Sequence, residues 1–317
     1  MAGVRDEITR LLAQGERIAL ATVVATRRSA PRPVGSKLVV SESGELFGSV
    51  SGGCVEGDVA VQAAEVIAGG EPRLISYGIA DDEAWEIGLP CGGEIDVFVQ
   101  RLEQDLAGGE GVRVTALEGE RVGEQELLPR GSLEPGVQER DGARVFAEEL
   151  APPTRLVIVG ATDTAEELCR AAGALGWRTV VIDPRPRLAT KERLPSAGKI
   201  VVAWPDDLEA DADTAVVVLA HAQRLDNPAL TAALTSDAFY VGAIGSRKTQ
   251  ANRREQLLEA GLTEEALDRL AGPAGLDLGA ATPAETAVSI VAEIIAVRAG
   301  HDGGRLRDRS GAIHATA

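Results

Sequence analysis

Apolar and polar positions alternate along this chain with periods that change at definite points. Val4–Gln14 places its apolar residues at helical spacing and meets Gly15, which predicts an amphipathic helix stopped by a glycine. Ile18–Ala25 is almost uninterruptedly apolar and predicts a buried strand, with shorter strands expected near Leu38–Val40 and Glu45–Val50. The helix-like run after Cys54 ends at Gly69-Gly70, Pro72–Tyr77 reads as extended, and Ile95–Gln100 shows strand alternation. From Leu102 to Pro153 the sequence turns rich in Gly, Glu and Pro, with short β-like pieces such as Val112–Leu117.

After Pro152-Pro153 the pattern becomes that of strand and helix in alternation. Leu156–Gly160 is an apolar strand, Ala165–Leu175 is helical with Gly176 as its stop, and Thr179–Asp183 is a second strand ending in an acid. This is a βαβ unit of dinucleotide-binding type. Thr214–Ala220 and Ala238–Gly242 repeat the buried strand, and Thr282-Pro-Ala-Glu285 is a capping box opening an apolar helix. The expected architecture is therefore α/β. An N-terminal α/β domain with glycine-flanked cysteines spans 1–101 and a connecting segment with some strand spans 102–153. A Rossmann-like doubly wound domain spans 154–299, and a tail covers 300–317.

Composition narrows the chemistry. A net charge of −17 over 317 residues opposes nucleic-acid and anionic-membrane binding. Three cysteines, no apolar leader at the N-terminus and no long uncharged apolar run predict a reduced, soluble, cytoplasmic protein. An aromatic share of 3% means that Val, Leu, Ile and Ala must fill the cores.

Against that acidic background, no acid occurs between Glu16 and Glu42, while Arg17, Arg27, Arg28, Arg32 and Lys37 do. Arg27, Arg32 and Lys37, in a turn-rich loop between strands, are candidates for binding a phosphate or carboxylate. Two thiols sit in glycine-rich turns: Cys54 after Ser51, Gly52 and Gly53, and Cys91 before Gly92 and Gly93. Glycine allows close approach to the neighbouring sulfur, and a helix N-terminus after Cys54 is expected to favour its thiolate. Cys54 and Cys91 are thus candidate nucleophiles or soft metal ligands, whereas Cys169, inside a helix, is expected in the core.

In the Rossmann-like domain Gly160 and Asp183 occupy the positions a dinucleotide would use. Thr162, however, stands where the fingerprint asks for the glycine that admits pyrophosphate, and Asp163 with Glu166 is expected to cap the helix. NAD(P) is accordingly expected to bind weakly at best. Gly245, Ser246 and Arg247, at the end of the strand Ala238–Gly242, form the better anion site.

Five segments carry a resemblance: Ser51-Gly-Gly-Cys-Val-Glu-Gly57, Gly88-Leu-Pro-Cys-Gly-Gly93, the strand–turn–helix after Pro153, Tyr240-Val-Gly-Ala-Ile-Gly-Ser-Arg247, and Gly275-Leu-Asp-Leu-Gly-Ala-Ala-Thr-Pro-Ala-Glu285. In this order they resemble the xanthine dehydrogenase accessory factor family (XdhC/CoxI) across nearly the whole chain. The resemblance implies a maturation factor, a chaperone more than a turnover enzyme. Such a factor binds molybdenum cofactor (molybdopterin), takes part with a cysteine desulfurase in replacing an oxo ligand by sulfur, and delivers the product to a molybdenum hydroxylase. A homodimer is among the expected assemblies. The alternative is an NAD(P)-dependent oxidoreductase using Gly160 and Asp183.

Overall fold

The structure, a computed structural model, describes residues 2–28, 30, 32–78, 93–102 and 110–308. The chain divides after Ala151 into two compact units. The first contains α1 (Ala2–Ala13), β1 (Ile18–Arg27), β2 (Lys37–Ser41), β3 (Leu46–Gly48), α2 (Glu56–Ile67), β4 (Arg73–Tyr77) and β5 (Glu94–Leu102). It continues with β6 (Gly111–Ala116), β7 (Gln125–Leu128), β8 (Gly136–Arg140) and β9 (Ala143–Leu150). The second contains β10 (Arg155–Val159), α3 (Asp163–Ala174), β11 (Arg178–Ile182), β12 (Lys199–Val201), β13 (Thr214–Val218) and α4 (Gln223–Leu234). Then follow β14 (Tyr240–Ala243), α5 (Arg247–Glu259), α6 (Glu264–Asp268), β15 (Leu270–Ala271) and α7 (Pro283–Arg298).

In the first unit a five-stranded sheet of order β3-β2-β1-β5-β4 is accompanied by a four-stranded sheet of order β7-β6-β9-β8. The long apolar run of β1 is central because both its faces are covered. Ala19, Ala21 and Val23 pack with Val59, Ala63 and Val66 of α2, whereas Ile18 and Leu20 pack with Ile8 and Leu11 of α1. Farther along, Val24 joins Phe98, Leu117 and Phe146, so the two sheets share apolar contacts. The Gly-, Glu- and Pro-rich stretch 102–153 thus holds an antiparallel sheet, built from strands too short and too charged on one side to announce themselves.

The second unit is a parallel sheet of order β12-β11-β10-β13-β14-β15. The order reverses between β10 and β13, the switch point at which such folds bind ligands. Leu156 and Ile158 face the layer of α3 and α7, while Val157 and Val159 face that of α4 and α5. Burial on both faces explains why these strands read as continuous apolar runs. Cys169 lies in the α3 layer with 1% of its surface exposed, and burial pushes its thiol up to about 11.

One local expectation is corrected. The cap of α3 is Thr162, whose side chain accepts the Ala165 N–H at 3.2 Å. Asp163 is instead exposed beside Arg193, and Glu166 turns away to accept from the Ser196 N–H and hydroxyl. A hydroxyl already at the Ncap position leaves no role for a neighbouring acid. The box at α7 forms as read: Thr282 accepts from the Glu285 N–H, and Glu285 accepts from the Thr282 N–H.

Gly160 closes the turn after β10 with φ of +109°, and a Cβ there would lie 2.8 Å from the Ala220 nitrogen. Strained backbone and a clash with main chain both follow from any side chain. Gly160→Ala is therefore expected to lower unfolding free energy by about 2–4 kcal/mol. Urea titration checks this, and an unchanged midpoint would rule the close approach out.

Candidate functional site

The loop leading to Cys54 is organised around one carboxylate. Glu56, the first residue of α2, turns back so that its Oε1 accepts the N–H groups of Val50 at 3.1 Å, Ser51 at 2.8 Å and Gly52 at 3.1 Å, together with the Ser49 hydroxyl at 2.6 Å. Its Oε2 accepts the Gly53 N–H at 2.8 Å and the Ser51 hydroxyl at 2.5 Å. Ser51 Oγ in turn accepts the N–H groups of Cys54 and Val55 at 2.9 and 3.0 Å. Gly52 and Gly53 hold φ of +79° and +115°, which lets successive N–H groups converge on a single anion. The nest that Ser51, Gly52 and Gly53 form is consequently filled by the protein's own acid. Cys54 is left exposed at the end of a rigid loop.

Glu56 was not legible as more than a favourable charge at a helix start. Burial pushes its carboxyl up, but the Ser49 and Ser51 hydroxyls and the converging backbone N–H groups outweigh this and bring it down to about 2.

The basic residues of the first unit differ in their freedom. Arg27 is engaged by Asp96 at 3.0 Å and Glu94 at 3.5 Å. Lys37 is nearly buried and pairs with Glu148 of β9, and burial lowers its ammonium against the opposing pull of that carboxylate. Arg32 is exposed and has no partner among the described residues. It lines an open cleft of about 730 Å³ with Lys37, Gly48, Ser49, Phe146 and Glu148. Ser49 connects cleft and thiol loop, since it lines the one and hydrogen-bonds Glu56 and the Gly52 N–H of the other. Cys54 is not among the described residues lining this cleft. Cys91 and Gly92 lie outside the described residues, and Gly93, just before β5, is buried.

In the second unit Asp183 is fully buried and already committed. It accepts the Ala161 N–H at 2.8 Å, the Arg185 N–H at 2.9 Å and the Arg185 guanidinium at 2.6 and 2.9 Å. Burial pushes its carboxyl up, and these donors overcome that to hold it below the usual range. A ribose hydroxyl would have to displace Arg185. Ser246 caps α5 by accepting the Thr249 N–H at 3.1 Å, with Gly245 at φ of +138° before it and Arg247 and Lys248 exposed after it. Gly160 and Asp183 share the end of β10 and β11, while Gly245, Ser246 and Arg247 occupy the end of β14.

An N-terminal unit presenting a thiol on a glycine loop, joined to a parallel 3-2-1-4-5-6 sheet, marks a protein class that sequence comparison identifies. Residues 11–78 match the model of the XdhC and CoxI family, and residues 156–294 match the XdhC Rossmann domain. The chain belongs to the XdhC and CoxI family. It is 32% identical over 297 residues, 90% of this chain and 85% of the relative, to the molybdenum cofactor insertion chaperone PaoD of Escherichia coli (strain K12). It is 28% identical to a probable xanthine dehydrogenase subunit from Bacillus subtilis (strain 168), covering 94% of this chain and 98% of the relative. A crystal structure of a xanthine dehydrogenase from Bacillus halodurans superposes with a TM-score of 0.77 at 26% identity, covering 95% of this chain and 98% of that one.

Two outcomes are expected from the geometry. Because the folded Glu56 carboxyl lies below its ordinary value of 4.5, its stabilisation is complete above that pH and disappears as pH falls toward about 2. Discounted for solvent screening, the contribution is about 1–2 kcal/mol. The stability gap between wild type and Glu56→Gln should shrink over that acid window in pH-dependent denaturation; a constant gap would refute the assignment. Iodoacetamide should modify Cys54 in the folded protein and leave Cys169 untouched until denaturant is added. Comparable labelling of both by peptide mapping would contradict the burial pattern.

Proposed function

We propose that this chain is a maturation factor that binds molybdenum cofactor, supports its sulfuration, and supports its insertion into a molybdenum hydroxylase of the xanthine dehydrogenase or CO dehydrogenase type. The observation that carries the reading is the near full-length similarity to a molybdenum cofactor insertion chaperone, combined with an exposed thiol on a rigid loop. The cargo supplies an anionic phosphate and a sulfur-bound metal, and the first unit offers complementary chemistry to each. Arg32, unpaired among the described residues, meets the phosphate with a charge-assisted contact. Arg27 and Lys37 contribute as they exchange carboxylate partners for the ligand.

Cys54 serves as the ligand or sulfur-carrying thiol, Cys91 is its proposed companion, and a cysteine desulfurase is the sulfur source. The loop of Ser51, Gly52 and Gly53 contributes by holding Cys54 in place, since its N–H groups are already occupied. Action in the cytoplasm, and a homodimeric assembly, complete the reading. No helix among the described residues is long and apolar enough to cross a membrane.

Arg32→Ala should weaken cofactor binding by an amount corresponding to about 1.5–3 kcal/mol, and added salt should weaken the wild type in the same direction. Cys54→Ser should retain most of that affinity yet fail to activate a client hydroxylase, because serine offers no thiolate. Ultrafiltration binding of extracted cofactor, run beside client reactivation, separates the two. Wild-type behaviour of both variants in both assays would eliminate the site.

A further inference from the structure

α7 is apolar on more of its circumference than its own layer covers. Ala287, Ile290, Val291 and Ile294 join the core of α3 and the parallel sheet. On another face Val288 and Ile295 keep 55% and 45% of their surface exposed, and Ala284, Ala292 and Ala299 lie in line with them, Ala292 half-buried and the other two exposed. At about 100° per residue these five positions fall within an arc of about 80°, one stripe along the whole helix. The solvent side of a surface helix ordinarily carries charged and polar residues, and this stripe carries none. Leu175, 46% exposed at the end of α3, adds to the apolar surface of the same layer.

The spacing of the stripe is palindromic. Val288 follows Ala284 by four residues, Ile295 follows Val288 by seven, and Ala299 follows Ile295 by four. When a second α7 crosses it antiparallel, about a twofold axis beside residues 291 and 292, Val288 meets Ile295 of the second copy and Ala284 meets Ala299. The two Val–Ile contacts are then about 10 Å apart along the helix. Alanine at the centre and at both ends lets the axes approach to the usual distance of about 8–10 Å. A twofold interface must be self-complementary in this way, whereas a stripe that meets an unrelated protein need not be.

Charge points in the same direction. Glu285, at one end of the helix, is held by the Ala281 and Thr282 N–H groups. Arg298, at the other, approaches Asp213 at 3.9 Å and stacks over Phe239. A helix that lies on a lipid surface carries several Lys and Arg residues beside its apolar face, and α7 has Arg298 alone. With −17 on each copy, long-range electrostatics oppose pairing, which leaves an apolar seam as its means.

We propose that α7 is a self-association surface through which two copies of this chain pair antiparallel, Val288 of each against Ile295 of the other. The inference rests on the homodimeric assembly proposed above and does not depend on the cofactor reading.

Sedimentation velocity of the full chain at about 50 µM should show a dimer, and added NaCl should strengthen it by screening like charges. Val288→Glu and Ile295→Glu replace exposed residues by a good helix former. Each should weaken the dimer at least about a hundredfold, because an unpaired carboxylate would be buried in an apolar seam. The register is read from a double variant, Val288→Cys with Ile295→Cys. Its two thiols are about 10 Å apart along their own helix and cannot bond within it. A 288–295 disulfide formed with copper–phenanthroline and mapped by mass spectrometry therefore joins two copies. Should the glutamate variants misfold, this double variant decides. Glutamate variants that stay dimeric, absence of the 288–295 link, or links of 288 to 288 and 295 to 295 would overturn the interface and leave the dimer standing. A monomeric wild type would overturn both, and its sedimentation with phosphatidylglycerol vesicles would give the stripe to a lipid surface.

Discussion

A carboxylate that gathers four backbone N–H groups and two hydroxyls fixes the loop that carries the exposed Cys54. A glycine-rich turn is entropically expensive to order, because glycine gives up more backbone freedom than any other residue. Glu56 offsets that cost by giving the turn a single focus. The result is a loop held in one conformation that leaves the Cys54 thiol open to solvent. Rigidity and access, usually opposed, are divided between the acid and the glycines.

The same device recurs at Asp183, which ties the Ala161 N–H and Arg185 into the end of the parallel sheet. Asp183 holds the position whose carboxylate meets a ribose hydroxyl in dinucleotide-binding folds, and Glu56 fills a nest of backbone N–H groups. In a chain of net charge −17, both groups of donors are thus taken up by internal carboxylates, and Arg27, Lys37 and Arg185 are likewise paired with acids. Among the described residues, exposed cations without a carboxylate partner include Arg28 and Arg32 in the first unit and Arg247 and Lys248 in the second.

The parallel sheet was readable from the chain because strands covered on both faces must be apolar at every position, as Leu156–Val159 is. Of the small antiparallel sheet only β6 was readable, in Val112–Leu117, because β7 and β8 are short, half-exposed and polar enough to read as surface loops. At the site, the basic stretch and the glycine-flanked Cys54 were visible as local patterns. What could not be seen was which charges cancel. The Lys37–Glu148 pair joins residues 111 positions apart, and no local spacing announces such a contact. Glu56 is close in sequence, but its role depends on the turn folding back over it, and a helix-start acid has commoner uses.

That Lys37–Glu148 pair has an implication for how the first unit could be shortened by deletion, in the laboratory or in evolution. The stretch 111–150 resembles a dispensable spacer, and trimming it would seem to spare the thiol loop. Yet β9 supplies the counter-ion for an ammonium that β2 has carried out of water. A fragment ending at β5 would lose the counter-ion and the cover together, and with them the packing of Val24 and Phe98 on Leu117 and Phe146. The small sheet thus shares a core with the sheet that carries the thiol loop, and a shortened descendant would have to make the face of Val24 and Phe98 polar before it could discard β9.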